Sequence, residues 1–291
     1  MAQQYTVTTG GKLLPFLFET LSVHGGWSKK TVKQRLQGSS VFVNGQVQTK
    51  HDYILTADDI VSIGSAQRTG QPINIQQLKL EILYQDKDLI AINKPAGLLS
   101  VGTTKENKNH ALALLRTQLS RGKKSDNTKL WPVHRLDRET SGILLFATSK
   151  EVREAVMQKW SSAEKTYLAI VEGKPKIEAD TIKEPLRLDE KEYRMHVGEH
   201  KDAKSAITHY KRVESKSNHS LLEVRIETGR QHQIRAHMAW LGHSIVGDER
   251  YGTKGSRMGL HALKLSIVHP KSKKTLSFEV DAPNDFYRIF N

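Results

Sequence analysis

The chain has 291 residues, 37% of them hydrophobic, which is enough for one large and one small packed domain and argues against a disordered protein. Lys and Arg outnumber Asp and Glu by 45 to 31, and the resulting net charge of +14 favours a polyanionic partner. There is no cysteine, which excludes disulfides, thiolate metal sites and thiol nucleophiles.

The amino terminus begins without the basic and apolar stretches of a secretory signal. No apolar run along the chain approaches the length of a membrane span. We therefore expect a soluble, cytoplasmic protein without a membrane partner, and we expect it to be a monomer.

Residues 1–64 are predicted to form a small domain of their own. Ser28 is a good helix N-cap, and the apolar residues after it are spaced i,i+4, so a helix is predicted over 29–37. An Asn-Gly turn within 41–47 predicts a β-hairpin, and 60–63 is predicted to be a further strand.

This small domain resembles an S4 RNA-binding domain. The resemblance lies in a basic helix that leads into a strand, a Val-Asn-Gly turn, and a late Asp-Asp-Ile-Val strand. It implies that the basic residues of the helix bind RNA, although a Lys-rich helix face can also be simply solvated. These residues are Lys29, Lys30, Lys33 and Arg35.

A polar, Gly-containing stretch over 65–77 is predicted to be a linker, and residues 78–291 are predicted to form the second domain. This domain alternates short apolar strands with turns and a few helices, and its first strands are predicted at 80–84 and 89–92. Two charged stretches without periodicity are predicted loops: 104–109 and 120–129.

The most informative segment is 134–142, His-Arg-Leu-Asp-Arg-Glu-Thr-Ser-Gly. It places Asp137 after a His-Arg pair and before a tight turn, and the apolar run 143–147 follows. The pattern predicts a carboxylate on an ordered loop that a buried strand anchors. On its own, an aspartate in such a turn more often accepts backbone hydrogen bonds.

Four segments in the second domain resemble the motifs of the RluA-type pseudouridine synthases, and they occur in the order typical of that family. The similarity extends over essentially all of 79–283. The four segments are 90–98, 134–142, 165–173 and 228–248.

The resemblance implies an enzyme that converts uridine in RNA to pseudouridine. Such enzymes break the bond between base and ribose, turn the uracil, and rejoin it to the sugar through carbon 5. The reaction is an isomerisation, so no cofactor and no metal are expected. The implied fold is α+β, with a mixed, mainly antiparallel central sheet, flanking helices and a cleft across the sheet.

The same resemblance implies the residues of the active site. Asp137 matches the essential aspartate, which either attacks the substrate or removes a ribose proton. Arg235 matches the arginine that pairs with it, and a guanidinium suits that pairing because it is always charged. Tyr167 matches a tyrosine that can stack on the uracil and act as a late acid or base.

Three further residues are predicted to bind the substrate. Arg135 either enters the space that the extruded nucleotide leaves or is a phosphate-facing or structural arginine. Leu260 matches an apolar residue that packs against the target base, although on the sequence alone it is a core residue. Arg230 belongs to the fourth segment.

The histidines His232, His237 and His243 raise the possibility of a metal site. Their spacing does not place them on one helix face, and no carboxylate cluster completes a set of ligands, so we predict no metal. The segment instead predicts a helix that begins near His232 and buries Ile234, Met238 and Leu241, with Arg235 on a neighbouring face.

Three alternatives to a ribosomal RNA enzyme stay open at this point. The first is a non-catalytic RNA-binding or ribosome-assembly factor on the same scaffold, although its Asp137, Tyr167 and Arg235 are intact. The second is a zinc hydrolase that uses the histidines. The third is a pseudouridine synthase whose substrate is transfer RNA, whereas the S4-like domain favours large-subunit ribosomal RNA.

Overall fold

The computed structural model describes residues 3–23, 26–37, 41–48, 50–63, 78–104, 106–120 and 129–290. The chain divides into two compact units, Met1–Gln71 and Pro72–Asn291. The division falls within the predicted linker, residues 65–77, which itself lies outside the described residues. In the ranges given above, no helix is both long and apolar enough to cross a membrane.

The first unit, where the structure describes it, combines short strands with two helices. A four-stranded antiparallel sheet has the order β1-β6-β3-β4, and β2 pairs separately with β5. A π-helical turn, Phe18–Val23, directly follows the first helix. The strands are β1 (Gln3–Thr6), β2 (Gly11–Lys12), β3 (Val41–Val43), β4 (Gln46–Val47), β5 (Ile54–Leu55) and β6 (Ile60–Ile63), and the helices are α1 (Leu13–Leu17) and α2 (Lys29–Gln37).

The predicted elements of this unit are confirmed. Helix α2 covers the predicted range, and the Oγ of Ser28 caps it by accepting the backbone N–H of Thr31 at 3.1 Å. Strands β3 and β4 form the predicted hairpin, with Asn44 and Gly45 both at positive φ. The apolar face of α2 packs into a core that also includes residues of α1, β3 and β6.

The second unit contains a ten-stranded sheet in which β12-β15-β16-β11-β17-β10-β8-β7 lie side by side, β18 pairs with β17, and β9 pairs with β10. Strands β13 and β14 form a separate hairpin. The strands are β7 (Glu81–Gln85), β8 (Leu89–Lys94), β9 (Trp131–Pro132), β10 (Ser141–Ala147), β11 (Glu164–Glu172), β12 (Ala179–Ile182), β13 (Leu186–Asp189), β14 (Arg194–Val197), β15 (Thr208–Lys216), β16 (His219–Ile226), β17 (Leu260–Val268) and β18 (Thr275–Glu279).

Four helices and one 3₁₀ turn accompany this sheet in the described part of the second unit. Helix α5 begins one residue after His232, close to where the sequence predicts it, and it buries Ile234 and Met238. Leu241 follows the last residue of the helix and is only half-buried. The helices are α3 (Ala111–Leu119), α4 (Lys150–Met157), α5 (Gln233–Trp240) and α6 (Asn284–Tyr287), and the 3₁₀ turn is Trp160–Ser162.

The central sheet is mixed because one pair of strands, β10 and β17, runs parallel while the other pairs run antiparallel. The α+β class with a mainly antiparallel sheet is therefore confirmed. The parallel pair joins Ser141 to His261 and Gly142 to Ala262. It fixes the end of the loop that carries Asp137 to the middle of the sheet, next to β11 with Tyr167.

Candidate active site

The loop between β9 and β10 carries Asp137, and two buried side chains fix its backbone through hydrogen bonds. Lys94, fully buried, donates from Nζ to the carbonyl oxygens of Pro95, Leu98 and Arg138 at 3.0, 2.7 and 3.0 Å. Ser100 uses its Oγ both to donate to the carbonyl of residue 136 (2.7 Å) and to accept the N–H of that residue (2.9 Å).

Lys94 stabilises this loop as an ammonium ion. Burial lowers the pKa of Lys94 to about 7, while the charges of Glu139 and Asp137 oppose the shift. Three carbonyl acceptors require three N–H donors, which only the protonated amine supplies. Lys94 therefore joins the turn after β8 to the loop before β10.

Asp137 lies opposite Arg235, as predicted, although 98 residues separate them. The Nη1 of Arg235 donates to Oδ2 of Asp137 at 2.8 Å. The side chain of Asp137 is 28% exposed, whereas that of Arg235 is only 10% exposed, so the carboxylate reaches the cleft and the arginine lies behind it.

A second carboxylate, not singled out in the sequence, completes this cluster. Asp248 accepts hydrogen bonds from Nε and Nη2 of Arg235 at 2.6 and 2.7 Å, and its side chain is fully buried. Burial alone would lower the pKa of Arg235, but the hydrogen bonds to Asp248 and the charge of Asp137 raise it. Asp248 lies in the fourth segment that resembles the family motifs, but a loop sequence does not show that a carboxylate is buried.

Tyr167, a residue of β11, lies near Asp137. Its ring is half-buried between apolar clusters on both sides of the strand. Burial, together with the nearby charge of Asp137, raises the pKa of the Tyr167 hydroxyl well above its ordinary value. The hydroxyl is therefore protonated at neutral pH, so in the resting site it is a proton donor rather than a base.

These residues open into a large cleft of about 1290 Å³. That volume exceeds the roughly 300–1,000 Å³ of ordinary small-molecule sites. Nine Lys and Arg side chains line the cleft against four Asp and Glu, so the cleft favours an extended anion. The basic residues are Arg135, Arg138, Arg153, Lys165, Arg230, Arg235, Arg250, Lys254 and Arg257.

The cleft contains two of the three further residues predicted to bind substrate. Arg135 is exposed on its wall, and Arg230 lines it while donating from Nε to the carbonyl of Ser205 at 2.9 Å. Leu260 is absent from the lining: it is 4% exposed and packs in the core with Met258, which does reach the cleft. The neighbouring apolar residue Met258 was missed by the sequence analysis.

The basic residues of α2 belong to the first unit. Lys29, Lys30 and Lys33 are exposed. The Nζ of Lys29 lies 5.8 Å from the ring centre of Phe18, and the guanidinium of Arg35 lies 5.2 Å from that of Trp27.

The three histidines considered as metal ligands have no contact partner in common. His237 is fully buried between Thr208 and the carbonyl of Glu184, and Nδ1 of His243 contacts the carbonyl of Glu172 at 2.8 Å. His232 faces the cleft, with Nε2 3.8 Å from Oδ1 of Asp137.

A different cluster brings potential ligand atoms within 4.8 Å of one another in the described ranges, namely Asp86, Asp88 and His269. Lys271 forms an ion pair with Asp88, and Nε2 of His269 lies 3.0 Å from Oδ2 of Asp86. These contacts are those of an ion-pair network, and its residues do not line the cleft.

His134 makes the stability of the protein depend on pH. Its ring stacks on Trp160 at 5.2 Å, and its Nε2 accepts the N–H of Leu145 at 3.2 Å, which only an unprotonated nitrogen can do. Burial, helped by the charge of Lys165, lowers the pKa of His134 to about 4. Above about pH 6.5 the histidine is neutral in the unfolded chain as well, and its contribution to the free energy of unfolding is complete. That contribution is lost as the pH falls toward 4.

We expect urea unfolding to show this contribution as a difference between wild type and His134→Gln. Between about pH 7.5 and pH 5, wild type should lose up to about 2 kcal/mol more unfolding free energy than the variant. Equal losses in both proteins would contradict the assignment to His134.

Comparison with known proteins identifies the class that this fold and site define. The family model described as RNA pseudouridylate synthase matches residues 88–240, which include β8, the Asp137 loop, Tyr167 and helix α5. The chain belongs to this family of RNA pseudouridine synthases, as the resemblance in the sequence indicated.

Individual relatives cover most of the chain. Ribosomal large subunit pseudouridine synthase D of Zymomonas mobilis is 32% identical over 232 residues, which span 74% of this chain and 73% of that protein. tRNA pseudouridine synthase C of Haemophilus ducreyi is 34% identical over 240 residues, 74% of this chain and 96% of that protein. The solved structure of human RNA pseudouridylate synthase domain containing 4 shares 26% identity, with a TM-score of 0.58 over 71% of this chain and 90% of that one.

Proposed function

We propose that the protein isomerises specific uridines in large-subunit ribosomal RNA, with Asp137 as the essential catalytic residue. The observation that carries the proposal is the Asp137–Arg235 ion pair at the base of a basic cleft. Loss of Asp137, Tyr167 or Arg235 would be expected in a non-catalytic copy of the scaffold, and all three are present.

The geometry suits a carboxylate that must stay ionised. Arg235 holds Oδ2 of Asp137, while Oδ1, 3.8 Å from Nε2 of His232, is left for contact with the substrate. The guanidinium at hydrogen-bond distance compensates the negative charge of this carboxylate. Asp137 can then act either by attack on the substrate or by removal of a ribose proton.

Tyr167 is proposed to contact the uracil. Its ring offers a face for stacking, and its protonated hydroxyl can donate a hydrogen bond or a proton to the base. Arg135 is proposed to contact RNA where the nucleotide has been extruded, because it is exposed on the same loop two residues before Asp137. Arg230 is proposed to contact the RNA backbone.

The first unit is proposed to be an S4-like RNA-binding domain, with residues 65–77 as its linker to the catalytic domain. Helix α2 presents exposed Lys29, Lys30 and Lys33 to solvent, and Arg35 stacks on Trp27 beside them. Such a cationic face binds phosphates mainly through counterion release. Since one chain supplies Asp137, Tyr167 and Arg235, we also propose that the protein acts as a monomer, and in the cytoplasm.

Transfer RNA is the second candidate substrate. It is favoured by the similarity to tRNA pseudouridine synthase C, whose length the match covers almost completely. The similarity to ribosomal large subunit pseudouridine synthase D and the basic first unit favour ribosomal RNA.

Mapping pseudouridines by carbodiimide modification and primer extension distinguishes these substrates. Total RNA from cells that lack the gene is compared with RNA from the parent strain. We expect a missing site in large-subunit ribosomal RNA that returns with the wild-type gene but not with Asp137→Asn. A loss confined to transfer RNA would replace the proposed substrate, and no loss at all in cells without a redundant enzyme would contradict the proposal.

A further inference from the structure

Arg235 is held by two carboxylates of different character. Asp248 takes up Nε and Nη2 in a two-point contact at 2.6 and 2.7 Å, and only Nη1 is directed to Asp137. The side chain of Asp248 is fully buried, whereas that of Asp137 is 28% exposed. The planar guanidinium is therefore oriented by a carboxylate that is not exposed in the cleft.

Asp248 is itself held rigidly in its loop. Its Oδ1 accepts the backbone N–H groups of Arg250 and Tyr251 at 3.0 and 3.2 Å. Its own backbone N–H donates to the carbonyl of Ile245, and its carbonyl accepts from Gly252. The carboxylate thus has a fixed direction before any substrate binds.

Tyr251, in the same loop, orients the second group that faces Asp137. Its hydroxyl accepts the N–H of Met195 at 2.7 Å, which leaves its own proton for Nδ1 of His232 at 3.1 Å. Burial lowers the pKa of His232, against the opposing charge of Asp137, so the ring is neutral and carries its proton on Nε2. That nitrogen is the one 3.8 Å from Asp137.

The need for such support follows from the substrate. Arg235 lies in a cleft that has to accept RNA, and phosphates compete with carboxylates for a guanidinium. An arginine held only by the half-exposed Asp137 could turn toward a phosphate and leave the carboxylate without its partner. The two-point contact with a buried carboxylate prevents that rotation.

We propose that Asp248 is a positioning residue for the reaction, which fixes Arg235 so that Asp137 always meets the guanidinium in the same orientation. The proposal rests on the function proposed above. It assigns Asp248 no contact with the RNA, and its effect must therefore pass through Arg235.

A double-mutant cycle tests this dependence. RNA labelled with [5-³H]uridine is prepared from cells that lack the gene, and tritium release from carbon 5 is followed with enzyme in excess. We expect Asp248→Asn to lower the maximal rate about 100-fold with the half-saturating enzyme concentration within about threefold. In an Arg235→Gln background, Asp248→Asn should have no further effect beyond about threefold, because residues that act as a unit are not additive.

Asp88→Asn is the matched control, because it removes another buried carboxylate, one paired with His269 and Lys271 outside the cleft. Its rate should stay within about twofold of wild type. An Asp248→Asn rate within about threefold of wild type overturns the proposal. So does an equal fold-loss from Asp248→Asn in the wild-type and Arg235→Gln backgrounds, because that is the pattern of a general structural defect.

A second variant decides the matter if Asp248→Asn does not fold. Arg235→Lys keeps the charge but cannot contact both carboxylates with a planar fork, so a similar loss of about 100-fold is expected, and a wild-type rate overturns the proposal. These measurements distinguish a failure of the positioning role from a failure of the proposed function. Activity in wild type, none in Asp137→Asn and full activity in Asp248→Asn would contradict only the positioning role, whereas no tritium release by wild type would contradict the function.

Discussion

Replacing Asp137 by asparagine is expected to lower the rate of uridine isomerisation by at least about 10⁴-fold, the size of effect seen when an essential catalytic group is removed. Asparagine has nearly the same shape, but it is neutral and cannot serve as a nucleophile or as a base. The fold should survive, because Asp248 still compensates the charge of Arg235 through two hydrogen bonds. Tritium release from [5-³H]uridine-labelled RNA measures the rate.

RNA binding should separate from catalysis in the same variant. Asp137 is one of four acidic residues in a cleft with nine basic ones, so its neutralisation should leave the dissociation constant for RNA unchanged or lower it slightly. Glu154→Gln removes an equal charge from an exposed position on α4 and should retain full activity. Residual activity of Asp137→Asn above about 1% of wild type would show that another group does the chemistry.

Features that depend on nearby residues were predictable from the sequence. The cap of α2 at Ser28 and the Asn44-Gly45 turn are examples, since each needs only a few neighbours to form. The positions of β8, β10 and α5 also followed from short apolar patterns, with differences of one or two residues at their ends. The parallel pairing of β10 with β17 has no such local signal.

Long-range contacts were predictable only where the resemblance supplied them. The pair formed by Asp137 and Arg235 is of this kind, and its partner Asp248 was overlooked because exposure in a loop cannot be read from residue types. The complete burial of Lys94 was not predictable either, since a lysine in an Asn-Lys-Pro turn gives no sign of it. Strand β15 was not singled out, because polar residues dominate its sequence and a bulge interrupts its pairing with β16.

Replacing Gly142 by alanine is expected to destabilise the protein by about 4 kcal/mol or more, which is exceptional for one methyl group. Gly142 has φ +108, and a Cβ there would lie 2.2 Å from the carbonyl oxygen of Ala262. The strained backbone at Gly142 and the contact of the added Cβ both oppose the substitution. The contacted group is backbone in the centre of the sheet, and this backbone cannot move aside. Since domains are stable by only about 5–15 kcal/mol, a loss of this size removes a large part of the protein's free energy of unfolding.

Gly198→Ala separates the two causes. Gly198 has φ +119, close to that of Gly142, but no atom lies within 4 Å of the position a Cβ would take. Its replacement should cost only the backbone strain, about 1–2 kcal/mol. The difference between the two variants in urea unfolding then measures the close approach of β10 to β17. Equal losses would mean that backbone strain accounts for both, and that this parallel pairing tolerates a side chain beside the loop that carries Asp137.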